Sequence, residues 1–544
     1  MLSIGGVLWD EGDGGHAIAP PGAPMTTVLN PVLPGFHPDP SVCRVGEDYY
    51  LVTSTFEWFP GIPVYHSRDL VNWRPIGHVL NRESQIDLEG APTSRGIWAA
   101  VIRYQAGKFY VISTNMNKAG TLRKFIWTAT DPAGPWSEPI PVDQMGVDPS
   151  LYWASNGKVY VTGNGRPPGK TLGIYQAEID PDTGTLLSEN RRICEGSGDA
   201  HVEAPHLFER GGWWYLSMAE GGCQMRHIQT FFRSRDPYGP WEPCPRNPVL
   251  THRRYGASSI HGLGHADFIE DQHGRWWCFF LAYRLTQVFF NHLGRETFLA
   301  PMTWDADGWP VIGNNGTIEP EMEMDTLPIH TWPKPPVRDD FDGPTLDVRW
   351  IMLRVPVGDR FDLAARPGWL TIRGNRWSLD DEHNPAILAR RQEDWDCTVS
   401  IAIEAEPLQA GHEAGLTVFL CHDHHYELAI VRDQCRRRRL LLRRRIADLQ
   451  AVVASTDLPD GLLVLGVEAD KFLYRFWWQG ADGVRHPLGT GSTQGLSAEA
   501  AKLNFTGVVV GPYAVGEGMV AAIDWFEYRG TPWAGKNIGS TAPG

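Results

Sequence analysis

No run of eighteen apolar residues occurs in the chain, so the sequence offers no helix able to cross a bilayer. Its eight cysteines include no Cys-x-x-Cys pair. That removes the common zinc-ribbon and dithiol motifs and reads as scattered free thiols in a reducing compartment. Gly-x-Ser-x-Gly is missing, which argues against a nucleophile elbow. His-Glu-x-x-His is missing too: His201, His206, His261 and His265 do not show that spacing. No long helical periodicity is present. Positive charge is in deficit, with 49 Lys and Arg against 64 Asp and Glu, a formal net charge of −15. Nucleic acid and anionic membranes are therefore poor partners, whereas a neutral carbohydrate is compatible. The first 24 residues lack both a basic segment and a continuous apolar segment. They do not read as a secretory signal, so a flexible extension over residues 1–25 and a cytoplasmic location are expected.

What is abundant is Trp (23), Gly (58) and Pro (42), in a chain of 544 residues, too long for one ordinary core. This composition suits a turn-rich, all-β protein. One short phrase recurs as Asp48-Tyr49-Tyr50-Leu51-Val52, Lys108-Phe109-Tyr110-Val111-Ile112, Lys158-Val159-Tyr160-Val161-Thr162, Trp213-Trp214-Tyr215-Leu216-Ser217 and Arg275-Trp276-Trp277-Cys278-Phe279. Each copy is an aromatic and β-branched run behind a turn, which is a strand signal. The five copies lie roughly 50 to 60 residues apart, a spacing that predicts propeller blades. Turns ending in Trp73, Trp136, Trp241 and Trp309 form a second repeat, suited to filling gaps between blades. About ten residues upstream of the copies stand Asp39, Trp98, Asp148, Glu203 and His265. Equivalent blades would bring these residues to one axis.

An isolated Asp-Pro is usually only a turn. Three acids at matched repeat offsets, each with a proline one or two residues later (Asp39-Pro40, Asp148-Pro149, Glu203-Ala204-Pro205), carry more weight. Glycoside hydrolysis needs two carboxyl groups flanking one bond, and a third can raise the acid's pKa and orient it. His265 reads equally as a core histidine or as a group facing the pocket or a hydrated calcium. Arg295 reads equally as a surface ion pair or as a clamp on sugar hydroxyls. The expected organisation is an extension over 1–25, a five-bladed β-propeller over 26–331, a proline-stiffened linker over 332–338 and a β-sandwich over 339–544, where alternating runs such as Thr398–Ile403 recur. Ser497 to Leu503 is expected to form one or two helical turns. The run Arg436–Arg445 is read as a solvated hairpin with an apolar inward segment, not as a nucleic-acid signal.

Longer segments resemble glycoside hydrolase family 43 over nearly the whole chain. Asn30–Ser41 resembles the family's general-base segment, Val147–Ser150 that of the pKa-modulating Asp, and Glu203–His206 that of the general acid. Phe56–Pro63 and His292–Thr297 resemble segments of its β-xylosidase and α-L-arabinofuranosidase branches. Asp340–Gly343 and Asp524–Tyr528 resemble the concanavalin-like sandwich appended there. The resemblance implies anomeric inversion, with Asp39 as base, Glu203 as acid and Asp148 as tuner. It also implies a pocket lined by Phe56, Trp98, His265, Arg295 and Phe505, the last on a sandwich loop. Ala99-Ala100-Val101 stands where the family often has Ala-Pro, and Gly222–Arg226 also departs from its pattern. Both places lie near the expected leaving group.

The expectation is an exo-acting glycosidase that releases terminal pentoses from xylo-oligosaccharides or arabinose-decorated oligosaccharides. β-D-Xylosidase is the leading reading, with α-L-arabinofuranosidase or a bifunctional enzyme as the alternative. A retaining fructan-cleaving propeller and a non-catalytic carbohydrate-binding propeller are the rivals from other classes. No cofactor is expected to be required, with calcium near His265 as the one candidate ion. Homo-oligomerisation is compatible with the sequence.

Overall fold

The computed structural model describes residues 25–166, 169, 171–354, 360–502 and 504–535. The expected extension therefore falls, apart from Met25, outside the described residues.

Five antiparallel sheets follow one another along the first part of the chain. Their first strands are Ser41–Val45, Gly96–Gln105, Val147–Trp153, Glu203–Arg210 and Ile260–Glu270. Each first strand touches its neighbours in cyclic order, and the first contacts the fifth, so the ring closes. The second strand of every blade carries the repeated aromatic phrase: Asp48–Val52, Lys108–Met116, Val159–Gly165, Trp213–Glu220 and Trp276–Arg284. Alternation explains the choice of residues. One face of each strand packs on the next blade and buries its aromatic and branched side chains.

The Trp turns fill the gaps between blades. Trp73 of the first blade meets Phe279 of the fifth edge-on, with ring centroids 5.6 Å apart. Trp136 of the second blade is buried among Val52, Val64 and Val79 of the first. Trp304 of the fifth blade packs on Tyr215 of the fourth at 4.9 Å. The ring is laced shut by the chain's early segment. Thr26–Leu29 pairs antiparallel with Glu321–Met324. The Asn30 side chain donates to Leu299 O and accepts from Leu299 N, both at 2.9 Å.

The second unit is a sandwich of two large antiparallel sheets around a core of Leu, Val and Ile, including Leu416, Leu428, Ile401 and Leu465. Arg438–Ile446 is an ordinary strand of this sandwich between His424–Arg432 and Leu449–Asp457. Leu440 and Leu442 point inward, and Arg443 pairs with Glu427 and Glu413 at 2.6 and 2.7 Å. These apolar residues of the run face inward, as the hairpin reading expected, while Arg443 is neutralised within the sheet rather than solvated. The short helix is a 3₁₀ turn at Thr493–Leu496, earlier than the sequence suggested. Ser497 O accepts from Ala500 N and Ala501 N to close a further turn.

The two units share a sheet. Trp58–Phe59, which leaves the first blade, pairs with Ile351–Leu353 and becomes the last strand of a sandwich sheet. Trp58 is fully buried between Phe36 and Phe419. The Arg391 guanidinium lies 4.5 Å over the Phe36 ring and donates to Phe36 O at 3.0 Å. A chain ending after Pro335 would expose Phe36 and Trp58. Such a truncation is expected to express as aggregated protein, checked by size-exclusion chromatography, because a contiguous apolar face of this kind rarely stays exposed. A soluble, fully active truncation would refute the structural role of the sandwich.

Candidate active site

In four blades the first strand breaks its ladder at one level. The register shifts lie between Ile97 and Ala100, Val147 and Ser150, and Glu203 and His206, and on both sides of Gly264. A β-bulge leaves a residue unpaired and turns neighbouring side chains off the sheet normal. Pro149 and Pro205 sit inside two of these bulges and have no N–H to leave unpaired. Asp39, Asp148, Ala204 and His265 all adopt left-handed backbone, with φ of 56°, 48°, 51° and 52°. Such a conformation costs about 1–2 kcal/mol at each non-glycine residue. Strain repeated at one level in four blades marks a built site. Phe56, on the loop after the first blade's second strand, also has a left-handed φ of 53°. It exchanges two backbone hydrogen bonds with Ile97, which fixes it beside Trp98.

The result is a cavity of about 450 Å³. Asp39, Phe56, Trp98, Asp148, Glu203, His265, Arg295 and Phe505 all line it. The structure therefore brings together every site residue expected from the sequence. Phe505 reaches the cavity from the sandwich. Its backbone N–H donates to Ser94 Oγ at 2.8 Å, and its ring lies 5.7 Å from Phe56 and 6.3 Å from Trp98. The approach requires glycine: a Cβ on Gly507 would stand 2.0 Å from Leu293 O.

The three acids have different surroundings. Burial alone would raise the pKa of Asp39, but Arg295, His265 and the Ser54 hydroxyl outweigh it and hold the carboxyl below its ordinary value. Arg295 donates to Asp39 Oδ1 at 3.2 Å and Ser54 Oγ donates to Oδ2 at 2.5 Å. Glu203 is pushed well above the ordinary range by burial and then by the like charges of Asp148 and Asp39, with Arg295 opposing. Its side chain keeps 23% exposure, all consistent with a group facing the cavity. His227 Nδ1 lies 3.9 Å from Glu203 Oε1 but donates to Gly222 O at 2.7 Å. Asp148 is raised by burial and by Asp39, while His265 and the Ala204 N–H oppose the shift. That N–H donates to Asp148 Oδ2 at 3.2 Å and ties this acid to the strand carrying Glu203.

Deeper along the axis lies a network absent from the sequence reading. Arg103 pairs with Asp267 at 2.8 Å and donates to His206 Nδ1 at 2.9 Å. Asp267 also accepts from Ser41 Oγ at 2.6 Å. Burial would raise the Asp267 pKa, but Arg103 and His206 depress it far below the usual range. The only available signal was positional, since Asp267 and His206 follow His265 and Glu203 by two and three residues on the same strands. Calcium favours six to eight oxygen ligands. Near His265 the closest acidic oxygen is Asp39 Oδ1, 3.5 Å from Nδ1. Among the described residues, the one group of three metal-ligating side chains is Cys421, Asp423 and His424, in the sandwich.

A five-bladed propeller with differently tuned acids on its axis and an aromatic wall defines a glycosidase-type protein. The model of the glycosyl hydrolases family 43 matches residues 28–310, and that of the β-xylosidase C-terminal concanavalin A-like domain matches residues 338–529. The chain belongs to glycosyl hydrolases family 43. It is 40% identical over 509 residues to a non-reducing end α-L-arabinofuranosidase of Bacteroides ovatus, covering 92% of this chain and 95% of that protein. It is 34% identical over 534 residues to a xylan 1,3-β-xylosidase of a Vibrio species, covering 92% and 99%. The solved structure of a xylan β-1,4-xylosidase from Bacillus halodurans superposes with a TM-score of 0.87 at 32% identity, covering 92% of this chain and 100% of that one.

Proposed function

We propose that this protein is an inverting exo-glycosidase that releases terminal pentoses from xylan-derived oligosaccharides. β-Xylosides are the leading substrates and α-L-arabinofuranosides the second. The observation that carries the reading is the electrostatic division of the acids within one cavity. A lowered pKa keeps Asp39 ionised, as a base that takes a proton from water must be. A raised pKa keeps the proton on Glu203, as a donor to the leaving oxygen requires. A module that only binds sugar has no need of that division. Asp148, tied to the Glu203 strand, orients the acid and adds the like charge that holds its proton. Arg295 clamps sugar hydroxyls and holds Asp39, while Phe56, Trp98 and Phe505 pack on the ring faces.

Relatives named for xylose and for arabinose both support a pocket for a terminal pentose, since the two sugars present similar hydroxyl patterns. A panel of nitrophenyl glycosides ranks them. Inversion has its own test: proton NMR of a fresh β-xyloside digest, read before mutarotation, is expected to show α-xylose first. A β-anomer appearing first would point to a covalent intermediate and overturn the roles given to all three acids.

A further inference from the structure

The three aromatic rings of the catalytic cavity come from separate parts of the chain: Phe56 from a loop of the first blade, Trp98 from the second blade and Phe505 from the sandwich. Ser94 is fully buried and bonded to two of them. Its carbonyl accepts from the Trp98 indole N–H at 3.3 Å, and its hydroxyl accepts from the Phe505 N–H at 2.8 Å. Its own N–H donates to Glu57 Oε2 at 3.0 Å. Glu57 directly follows Phe56 in the chain, so one short network joins the supports of all three rings. Ser94 has a left-handed φ of 60°, which a non-glycine residue seldom adopts, so its orientation is held by its partners. The sandwich grips the same loop from the other side. Arg354 Nε donates to Ala91 O at 2.8 Å, and Glu382 accepts from Thr93 N at 3.0 Å. Arg354 N also donates to Glu57 O at 2.7 Å. The Glu57 residue is only 2% exposed. A carboxyl at that depth is costly, and packing alone would be served better by an apolar side chain.

Resting on the glycosidase reading, we propose that Glu57 is a positioning residue: by holding the Ser94 N–H it sets the aromatic wall that grips the terminal sugar. It does not line the cavity itself and acts through Ser94 on Trp98 and Phe505. A displaced wall weakens binding of the sugar equally in the ground state and the transition state, so the loss falls on KM rather than kcat. The test uses the full chain and the nitrophenyl glycoside that the panel ranks first. Glu57→Ala is expected to raise KM about 3- to 10-fold, as partial loss of ring contacts would, with kcat within about 3-fold. Glu57→Gln keeps an oxygen that accepts the Ser94 N–H and should recover most of the loss. Ser94→Ala releases Phe505 alone and should raise KM about 2- to 5-fold, so the test does not depend on Glu57→Ala folding. Thermal melting confirms that each variant is folded. An unchanged KM in both alanine variants would overturn the proposal. So would a fall in kcat with KM unchanged, which would place Glu57 among the groups that tune the acids. A Glu57→Gln variant as impaired as Glu57→Ala would show that the charge acts rather than the hydrogen bond, and would overturn it too. Failure of the unmodified protein to cleave any glycoside of the panel would instead bring down the glycosidase reading itself.

Discussion

Asp39→Asn is expected to lower kcat by about 10²- to 10⁴-fold on every substrate while leaving the fold and product affinity near those of the unmodified protein. Asn keeps the acceptor oxygen for Ser54 or Arg295 but cannot take a proton from water. The carboxylate is held ionised by Arg295, His265 and Ser54, so the substitution removes a charge that three partners are arranged around. Loss of that charge also relieves part of the like-charge pressure on Glu203 and Asp148. In the unmodified protein the low-pH limb of the rate profile should follow protonation of Asp39, and lie below the ordinary carboxylate range because its pKa is lowered. Activity near that of the unmodified protein in purified, folded Asp39→Asn would remove it from the role of base. Thermal melting and product titration distinguish this loss from unfolding.

The propeller was legible because its signal is local and repeated. The aromatic phrase marks the second strand of each blade, and a fixed offset upstream finds the residue that lines the cavity on the axis. Asp148 and Glu203 were further marked by the prolines that their bulges accept. Contacts made once could not be found this way. Trp58–Phe59 is a two-residue strand with no periodicity, and its partner Ile351–Leu353 lies nearly 300 residues away. Arg103 and Asp267 look like ordinary polar positions in alternating strands, and only closure of the ring places them together on the axis. His227 was missed for a similar reason. It fits under the acid because Gly264 opposite has no side chain: a Cβ there would stand 2.1 Å from His227 Cδ2. That complementarity spans two blades and leaves no pattern in either. Phe505 was reachable only through resemblance, since nothing in the sequence around it shows that a sandwich loop completes a propeller pocket.

Glu203→Gln should divide substrates by leaving group. A nitrophenolate departs with little protonation, whereas a sugar alkoxide needs a proton in the transition state. The variant is expected to lose about 10²- to 10⁴-fold in kcat/KM on xylobiose and much less on nitrophenyl β-xyloside. The amide retains the volume of the side chain beside His227, so packing at the acid is conserved. It also removes the group that sets the alkaline limb. In the unmodified protein that limb is expected to mark loss of the proton from Glu203, whose pKa is displaced upward by burial and by the charges of Asp148 and Asp39. Activity should therefore fall as pH rises through this raised pKa. In Glu203→Gln the residual nitrophenyl activity should keep its acid limb, which belongs to Asp39, and lose its alkaline one. Equal losses on both substrates, or an alkaline limb that survives the substitution, would show that another group delivers the proton. Asp148, the other acid on the axis with a raised pKa, would then be the residue to replace.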